Sequence, residues 1–583
     1  MVASGCAKLA VRPSVFIYAV LHGNMSSLPW GRTFGLRPVR HRVFPVFFLF
    51  RNLSIYILNE DRRVSSTTPP TTAERRAAVR MLAAGQLSLD HDTLARSLRH
   101  LGRGQRLTSL FQRLHLGLPI SIGVLGSSVA EHGGCIDQPG ARCHAIAKSK
   151  DAEPYFVRLF RAFNTSWPHP GHEMYNGARP AVPPDDFLYC LQSNLPRTLP
   201  HLVILEFGSM GRHLKPAMTE LLVRRLLLLP SRPALLFVTV REWCSAAHNG
   251  YNGVQIDDYG YNQSTPMARA ERTFESFCNR YNSSCLSYWH ALAPPHYAGR
   301  PNFTRADIAK DCLHPHSSRF GATYVGDMLL HWLRSASEAA NGHKTHGDDA
   351  EDTSTLPSPL LRSRSASNRS MASTNQRCYS FAEQGLRGGH RSRWRMVEWD
   401  TSHCNPKDTH APCERAEKKA CPTGTKISQV QPVWFFCRTA LVPKRGTLIA
   451  GKIAPGLVAL LPGATLFVHL DNVFQATVAG AAPSRMVHVA LSYLTSYEHM
   501  GTVDVQCEAL CACDAQRIDA HQAGGRTERN ESVSKTHSFS VQPAVPCSVD
   551  ETLRGCVLRL TVLEATSSLG HKFKVSSLNI VPA

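Results

Sequence analysis

The sequence lacks a hydrophobic run long enough to span a membrane. Near its amino end the apolar stretch Val43–Phe50 is interrupted by Arg51 and Asn52 before Ile55–Leu58. Even the combined stretch Val43–Leu58 falls short of the roughly 20 residues that a spanning helix needs. It fits either an internal signal anchor or an upstream extension that is not translated, and the sequence favours neither.

Acidic residues are scarce. The sequence has 44 Asp and Glu against 65 Lys and Arg, which gives a formal net charge of +21. Residues 1–118 hold 17 basic and five acidic residues, so more than half of this excess lies at the front of the chain. Lysine is also scarce, at 15 against 50 arginines, a bias typical of GC-rich genomes. The sequence has no aromatic-basic platform and no recognisable nucleic-acid module. We therefore expect no binding to nucleic acid.

Cysteine, by contrast, is abundant, and 17 of the 18 cysteines lie between Cys135 and Cys556. Eight of the 19 asparagines stand in N-x-S/T sequences, where about three are expected by chance. They are Asn24, Asn52, Asn164, Asn262, Asn282, Asn302, Asn368 and Asn530. Both features predict a glycoprotein of the secretory pathway with disulfides. The expected location is the lumen, the cell surface or the extracellular space, with a single-pass anchor at the amino end left open.

Residues 119–336 alternate between strand-like and helix-like segments. The expected strands are Ile120–Leu125, Leu202–Phe207 and Ala234–Val240, and the expected helices are Asp185–Leu195, Pro216–Leu229 and Ala322–Ala336. Alternation of this kind predicts a parallel sheet covered by helices on both faces.

After Cys378 the pattern changes to β-type runs with Gly and Pro turns between many of them. They are Val433–Cys437, Thr447–Ile453, Thr465–Leu470, Met486–Leu494, Gly501–Cys507, Cys556–Glu564 and Lys572–Val581. No long helical segment intervenes, so these runs predict an all-β sandwich or jelly roll.

The chain therefore divides into five predicted parts. They are a basic segment with the possible signal or anchor (1–58), a stem with short helices (59–116), an α/β domain (117–336), a flexible linker (337–377) and a Cys-rich all-β domain (378–583).

Two short segments carry candidate catalytic residues at positions where functional groups of α/β sheets collect. Gly126-Ser127-Ser128 follows the first strand, and Asp311-Cys312-Leu313-His314-Pro315 precedes the last helix. An Asp and a His three residues apart allow the carboxylate to orient the imidazole, which can then deprotonate a serine that the fold brings near.

Together the two segments resemble the SGNH (GDSL-type) hydrolases, whose first block ends in the nucleophilic serine and whose last block is D-x-x-H-P. The resemblance covers residues 117–336, under half of the chain. It implies a three-layer, flavodoxin-like α/β fold with Ser128 as nucleophile, His314 as general base and Asp311 as its orienting partner. It requires no metal and no organic cofactor.

The middle blocks of that family match less closely. Asn176-Gly177-Ala178 is the counterpart of the second block, so the resemblance implies the Gly177 N–H as an oxyanion donor. After Leu202–Phe207, Met210 occupies the position of the family's asparagine, and a thioether cannot donate a hydrogen bond. Losing one oxyanion donor typically lowers the rate about 100- to 1000-fold. The hydroxyl of Ser209 is the candidate substitute.

These residues predict an ester hydrolase of the secretory pathway that acts on O-acyl groups of glycans through Ser128, His314 and Asp311. Its expected partner is an acylated glycan or another ester. An O-acyltransferase would differ only in the nucleophile that resolves the acyl-enzyme, and a lipase would need a larger acyl pocket. The alternative from another class is a non-catalytic glycan-binding or surface protein on a degenerate hydrolase fold, which Met210 favours.

Other residues near these motifs are expected to be structural. His132 and His316 are assigned to a solvated face, and Tyr493 and Tyr497 to a core or hairpin. Trp434 and Phe435 are, like those two tyrosines, of the type that stacks on sugars. Disulfides rather than zinc are expected for Cys404, Cys413, Cys421, Cys437, Cys507, Cys511, Cys513, Cys547 and Cys556. The segment Ser496–Gly501 is similar to predicted algal proteins of this hydrolase type, which implies no activity.

Overall fold

The computed structural model describes residues 87–137, 144–145, 153–196, 198–243, 265–342, 356–361, 377–380, 397–399, 421–444, 447–470, 486–508, 511–522, 532–544 and 556–582. The candidate signal or anchor Val43–Leu58 lies outside these residues. Among them, no helix combines the length and the apolar character that crossing a membrane requires.

Six strands form the sheet of the α/β region. They are β1 (Leu98–His100), β2 (Ser121–Gly126), β3 (Glu173–Asn176), β4 (Leu202–Glu206), β5 (Ala234–Thr239) and β6 (Ser284–Ser287). Their order across the sheet is β1-β6-β5-β4-β2-β3. Strands β2 to β6 run parallel, and β1 pairs antiparallel with β6 at the edge. The strand order reverses at β2, so the carboxyl ends of β2 and β4 flank the crevice in which such sheets bind ligands.

Helices cover both faces of this sheet. They are α1 (His91–Ser97), α2 (Gln105–His115), α3 (Ser128–His132), α4 (Tyr155–Ser166), α5 (Pro184–Tyr189), α6 (Pro216–Leu227), α7 (Pro266–Tyr281), α8 (Tyr288–Tyr297), α9 (Arg305–Ile308) and α10 (Gly321–Gly342). Because side chains alternate along a strand, Leu202 and Ile204 of β4 join a core with α2, α4 and α10. Val203 and Leu205 join a second core with α5, α6 and α7. The expected parallel sheet with helices on both sides is confirmed.

The described strands from Arg377 onward form two antiparallel sheets. They are β7 (Arg377–Ser380), β8 (Val397–Trp399), β9 (Phe435–Lys444), β10 (Thr447–Ala459), β11 (Thr465–Leu470), β12 (Val487–Thr495), β13 (Thr502–Glu508), β14 (Cys511–Ala512), β15 (Gln516–Asp519), β16 (Val533–Pro543), β17 (Cys556–Val562) and β18 (Phe573–Pro582). One sheet has the order β8-β11-β17-β13-β15, and the other β9-β10-β18-β12-β16-β14 with β7 added to β18. Val503 and Leu558 from the first sheet share a core with Val489 and Ile580 from the second.

Most of the aromatic residues considered for sugar stacking are buried in this region. Tyr493 lies in the core, as expected, but Trp434 and Phe435 are also buried. They therefore pack inside the β region instead of offering a face to a sugar, and only Tyr497 of the four is partly exposed.

Helix α5 packs against the outer face of the β12–β16 sheet. Thr536 of β16 donates a hydrogen bond to the carboxylate of Asp186, and the Ser534 N–H donates to the Ala181 carbonyl at 3.0 Å. The disulfide Cys190–Cys378 joins the end of the same helix to β7. The α/β and β regions are therefore linked covalently and by polar contacts.

Disulfides account for the described cysteines. The pairs are Cys190–Cys378, Cys278–Cys285, Cys421–Cys437, Cys507–Cys513 and Cys511–Cys556, and Cys135 and Cys312 are disulfide-bonded too. The prediction of disulfides over zinc is confirmed for Cys421, Cys437, Cys507, Cys511, Cys513 and Cys556, whereas Cys404, Cys413 and Cys547 lie outside the described residues. These bonds fit a secreted or extracellular protein.

Candidate active site

The turn after β2 holds Ser128 at the carboxyl edge of the sheet. A Cβ at Gly126 would lie 2.5 Å from the Glu206 carbonyl oxygen and 2.7 Å from the Ala130 Cβ, so only glycine permits this close approach. The Ser127 N–H donates to the same carbonyl at 3.2 Å, which ties the turn to β4. Helix α3 begins at Ser128, whose side chain stays partly exposed.

Ser128, His314 and Asp311 form a continuous chain of side-chain contacts. Ser128 Oγ lies 2.8 Å from His314 Nε2, and His314 Nδ1 lies 2.9 Å from Asp311 Oδ2 and 3.0 Å from Oδ1. With the ring proton on Nδ1 donated to the carboxylate, Nε2 is free to accept the Ser128 proton. The arrangement can therefore generate a serine nucleophile.

Asp311 is held in its ionised form. Burial acts to raise the pKa of its carboxyl, but the hydrogen bond and charge of His314 and the N–H groups of His314 and Leu313 outweigh that effect. The resulting pKa is about 2. At neutral pH the carboxylate therefore fixes the orientation of the imidazole and would stabilise it once protonated.

The segment that carries Asp311 and His314 is tied to two neighbouring elements. Cys312 has a φ of +68° and is disulfide-bonded, and its carbonyl accepts the Trp243 N–H from the chain just after β5 at 2.7 Å. The Pro315 carbonyl accepts a 2.8 Å hydrogen bond from the N–H of Cys135, which lies just after α3. The base is therefore anchored both to the sheet and to the segment that follows the nucleophile.

His132 and His316 do not lie on a solvated face, and that prediction was wrong. His132 is 7% exposed and stacks on His314, with ring centroids 4.9 Å apart and an interplanar angle of 29°. His316 is 3% exposed, with Nε2 3.3 Å from Asp137 Oδ1. The sequence signal that could have placed His132 near the site is its spacing from Ser128, because residues four apart on a helix share one face.

The structure brings His132, Cys135 and His314 close enough to suggest a metal site, since their donor atoms lie within 4.8 Å of one another. Cys135, however, is disulfide-bonded, and both nitrogens of His314 contact Asp311 or Ser128. The second such group consists of Cys507, Cys511 and Cys556, which are all in disulfides. Neither group offers a thiolate to an ion.

Gly177 does not offer its amide in the way that the resemblance implied. Its N–H donates to the Val124 carbonyl at 2.9 Å, extending the pairing of β2 with β3. A Cβ at this position would lie 2.0 Å from the Asn194 carbonyl oxygen, so close packing of two backbones accounts for the glycine. The expected oxyanion donor is therefore already engaged in the sheet.

Ser209 lies beside the turn that carries the nucleophile. It belongs to the short 3₁₀ turn Gly208–Met210 after β4, and its Oγ is 2.5 Å from Ser127 Oγ. Ser127 and Met210 are both buried. The two hydroxyls thus form a pair across the crevice between β2 and β4.

Glu206, at the end of β4, is a residue that the sequence analysis did not single out. It is 1% exposed, and neither carboxyl oxygen has a hydrogen-bond partner among the described residues. The backbone N–H groups of Gly208, Val240, Ser209 and Ala130 surround it without reaching hydrogen-bond geometry. Burial raises the pKa of Glu206 to about 8, and these N–H groups act only partly against it. The sequence signal that could have identified Glu206 is the presence of an acidic residue inside the apolar run of β4.

A second serine, Ser287, also lies between a histidine and a carboxylate. Its Oγ donates to Glu271 and is 2.9 Å from His290 Nδ1. Ser287 is 1% exposed, and its Oγ accepts the His290 N–H as the N-cap of α8. A substrate cannot reach it, so the group is a helix cap.

No protein-family model and no curated protein matches the chain, so its similarity to algal proteins has no support. Among solved structures, a two-domain esterase active on acetylated mannans, co-crystallised with mannopentaose, is 14% identical with a TM-score of 0.45, covering 84% of this chain and 98% of that one. An acetylxylan esterase from Geobacillus stearothermophilus is 15% identical (TM-score 0.24; 39% and 95% covered). A GDSL-like lipase from Parabacteroides merdae is 12% identical (TM-score 0.26; 38% and 96% covered). Similarity at this level identifies no activity, which has to be argued from the residues themselves.

Proposed function

We propose that the chain is a serine ester hydrolase of the SGNH type, with a flavodoxin-like catalytic domain and a β-sandwich domain. The observation that carries this proposal is the 2.8 Å contact between Ser128 Oγ and His314 Nε2, at the carboxyl edge of the sheet, with Asp311 on the opposite side of the ring. Ser128 is partly exposed, so an ester can approach it, in contrast to Ser287.

In the proposed reaction His314 accepts the hydroxyl proton of Ser128 through Nε2 while Oγ attacks the ester carbonyl. Asp311 remains ionised and stabilises the imidazolium that forms. The imidazolium then gives its proton to the departing alcohol, leaving an acyl group on Ser128. Water, deprotonated by His314, attacks that acyl group; the bond to Ser128 Oγ then breaks, His314 returns the proton to Oγ, and the carboxylic acid leaves.

Two donors near Ser128 can stabilise the oxyanion. The first is its own N–H, which starts α3 and so has no partner within the helix. The second is the Ser209 hydroxyl. When Ser127 donates its proton to Ser209 Oγ, 2.5 Å away, the Ser209 proton is released to point into the crevice. Ser209 would thereby replace the asparagine that Met210 displaces, and Ser127 would orient it.

We assign O-acyl groups of glycans as the substrate class. The disulfides fit a protein that meets extracellular or luminal substrates, and the eight N-x-S/T sequences agree with that location. The β region is joined to the catalytic region through Cys190–Cys378 and the Asp186–Thr536 contact, so a polymer bound by it would be held on the same molecule as Ser128.

The test is labelling of the full secreted chain with a fluorophosphonate, followed by assays of acetate release from acetylated xylan and mannan. We expect labelling and release in the wild type and neither in Ser128→Ala. Ser287→Ala is the matched control, because it removes the other serine with a histidine neighbour and should remain labelled. Release of acetate by Ser128→Ala would overturn the proposal.

The second candidate function is glycan binding without catalysis. The engaged Gly177 amide and the buried Met210 favour it, because both reduce the number of oxyanion donors. Its signature would be binding of acetylated xylan, measured by calorimetry, by a folded chain that neither reacts with the fluorophosphonate nor releases acetate.

A further inference from the structure

The ring of His132 packs on the face of the proposed base, and none of the catalytic steps above uses it. Its centroid is 4.9 Å from that of His314, and the rings are 29° from parallel. His132 ends the short helix α3 that Ser128 begins, so one helix presents both the nucleophile and this imidazole.

The charged surroundings of the two rings differ. Asp311 Oδ2 contacts Nδ1 of His314 at 2.9 Å, whereas Glu131 Oε2 lies 3.0 Å from Nε2 of His132. Cys135, the third group at this point, is disulfide-bonded and carries no charge. Each imidazole therefore lies beside a different carboxylate, and the faces of the two rings contact each other.

We propose that His132 is a positioning residue of the proposed hydrolase, which holds the His314 ring in line between Ser128 and Asp311. The inference rests on the proposed function. A ring stacked on the face of His314 opposes its rotation, so Nε2 stays directed at Ser128 Oγ and Nδ1 at the Asp311 carboxylate.

Substitutions at position 132 separate the ring from its nitrogens. Phenylalanine keeps a ring stacked on His314 without the imidazole nitrogens, whereas alanine removes the ring. If stacking holds the base in place, phenylalanine retains most of the activity that alanine loses.

The experiment measures kcat and KM for p-nitrophenyl acetate at neutral pH with the full chain. For His132→Phe we expect a kcat within about 3-fold of the wild type. For His132→Ala we expect a loss of at least about 10-fold in kcat with little change in KM, because the His314 ring is no longer held. Glu131→Gln keeps the stacking and removes only the carboxylate beside His132, so its kcat should stay close to that of the wild type.

His316→Gln is the matched control, because His316 is likewise buried beside an acid but has no ring contact with His314 among the described residues. Its kcat should stay close to that of the wild type. A folded His132→Ala chain with wild-type kcat, or one whose loss His132→Phe does not recover, would overturn the inference. If His132→Ala does not fold, His132→Gln serves in its place, because it also lacks a stacking ring. Wild-type chain that neither hydrolyses the ester nor reacts with a fluorophosphonate would instead refute the proposed function.

Discussion

Replacing Glu206 by glutamine is expected to stabilise the folded chain at neutral pH, although it removes a native acid. Glu206 is almost fully buried, and its carboxyl oxygens have no hydrogen-bond partner among the described residues. Burial raises its pKa from 4.5 to about 8. Glutamine has nearly the same shape and cannot ionise, so it avoids the cost of keeping this group protonated.

The sign and size of the effect follow from proton linkage. Between pH 4.5 and about 8 the folded chain retains a proton at Glu206 that the unfolded chain has released. The free energy of unfolding therefore falls as the pH rises, by about 1.4 kcal/mol per pH unit for this group. At pH 7 the accumulated loss is about 3 kcal/mol, which Glu206→Gln would recover. Near pH 4.5 both chains carry a neutral side chain, and their stabilities should converge.

Thermal unfolding of both chains, measured from pH 4.5 to 8.5 with disulfides intact, tests this prediction. At pH 7 the transition of the α/β region should rise by about 5 °C or more in Glu206→Gln, a difference that vanishes near pH 4.5. Glu220→Gln is the matched control. Glu220 is equally buried, but its carboxylate accepts the N–H groups of Leu360 and Leu361 at 2.6 and 2.8 Å, so this change should destabilise. A Glu206→Gln chain that is less stable at pH 7, or equally stabilised at every pH, would refute the reasoning.

Three further outcomes are expected. Asp311→Asn should lower kcat by at least about 1000-fold with intact folding by circular dichroism, because the amide cannot stabilise the imidazolium; near-normal turnover would contradict this role. Ser209→Ala should lower kcat about 100-fold and Ser127→Ala about 10-fold, with KM for p-nitrophenyl acetate little changed; unaltered kcat in Ser209→Ala would remove that hydroxyl from the oxyanion site. Cys378→Ser should cost about 2–4 kcal/mol and split the calorimetric transition in two; an unchanged single transition would show that the non-covalent contacts suffice.

The parallel strands could be predicted because they are buried on both faces and read as continuous apolar runs. Leu202–Glu206 and Ala234–Thr239 fall on the expected segments. Strand Glu173–Asn176 could not be identified in this way, because it lies at the sheet edge, is partly exposed and consists largely of polar residues. Ser284–Ser287 has only four residues, too short for a periodicity to show.

The residues of the candidate site likewise fall into those that the sequence predicted and those that it did not. Ser128 and the Asp311–His314 pair could be proposed from sequence, since local motifs carry them, and their catalytic roles remain predictions. The positions of His132 and Glu206 depend on which elements meet in space, and no local pattern specifies that two imidazoles stack or that a strand acid has no partner. The cysteines gave a clear signal because their number and setting already indicated disulfides.

The Gly177 amide shows why a motif match does not transfer a role by itself. A backbone N–H has one proton, and here the pairing of β2 with β3 uses it on the Val124 carbonyl. The Ser128 N–H then remains as the proposed donor on this side of the crevice, and a second donor has to come from the opposite side, where β4 ends. There Met210 offers no proton and Ser209 offers one only if Ser127 supplies its own. Whether the proposed oxyanion site has a second donor therefore depends on the direction of one hydrogen bond between two serines, and the kcat values of Ser127→Ala and Ser209→Ala test that direction.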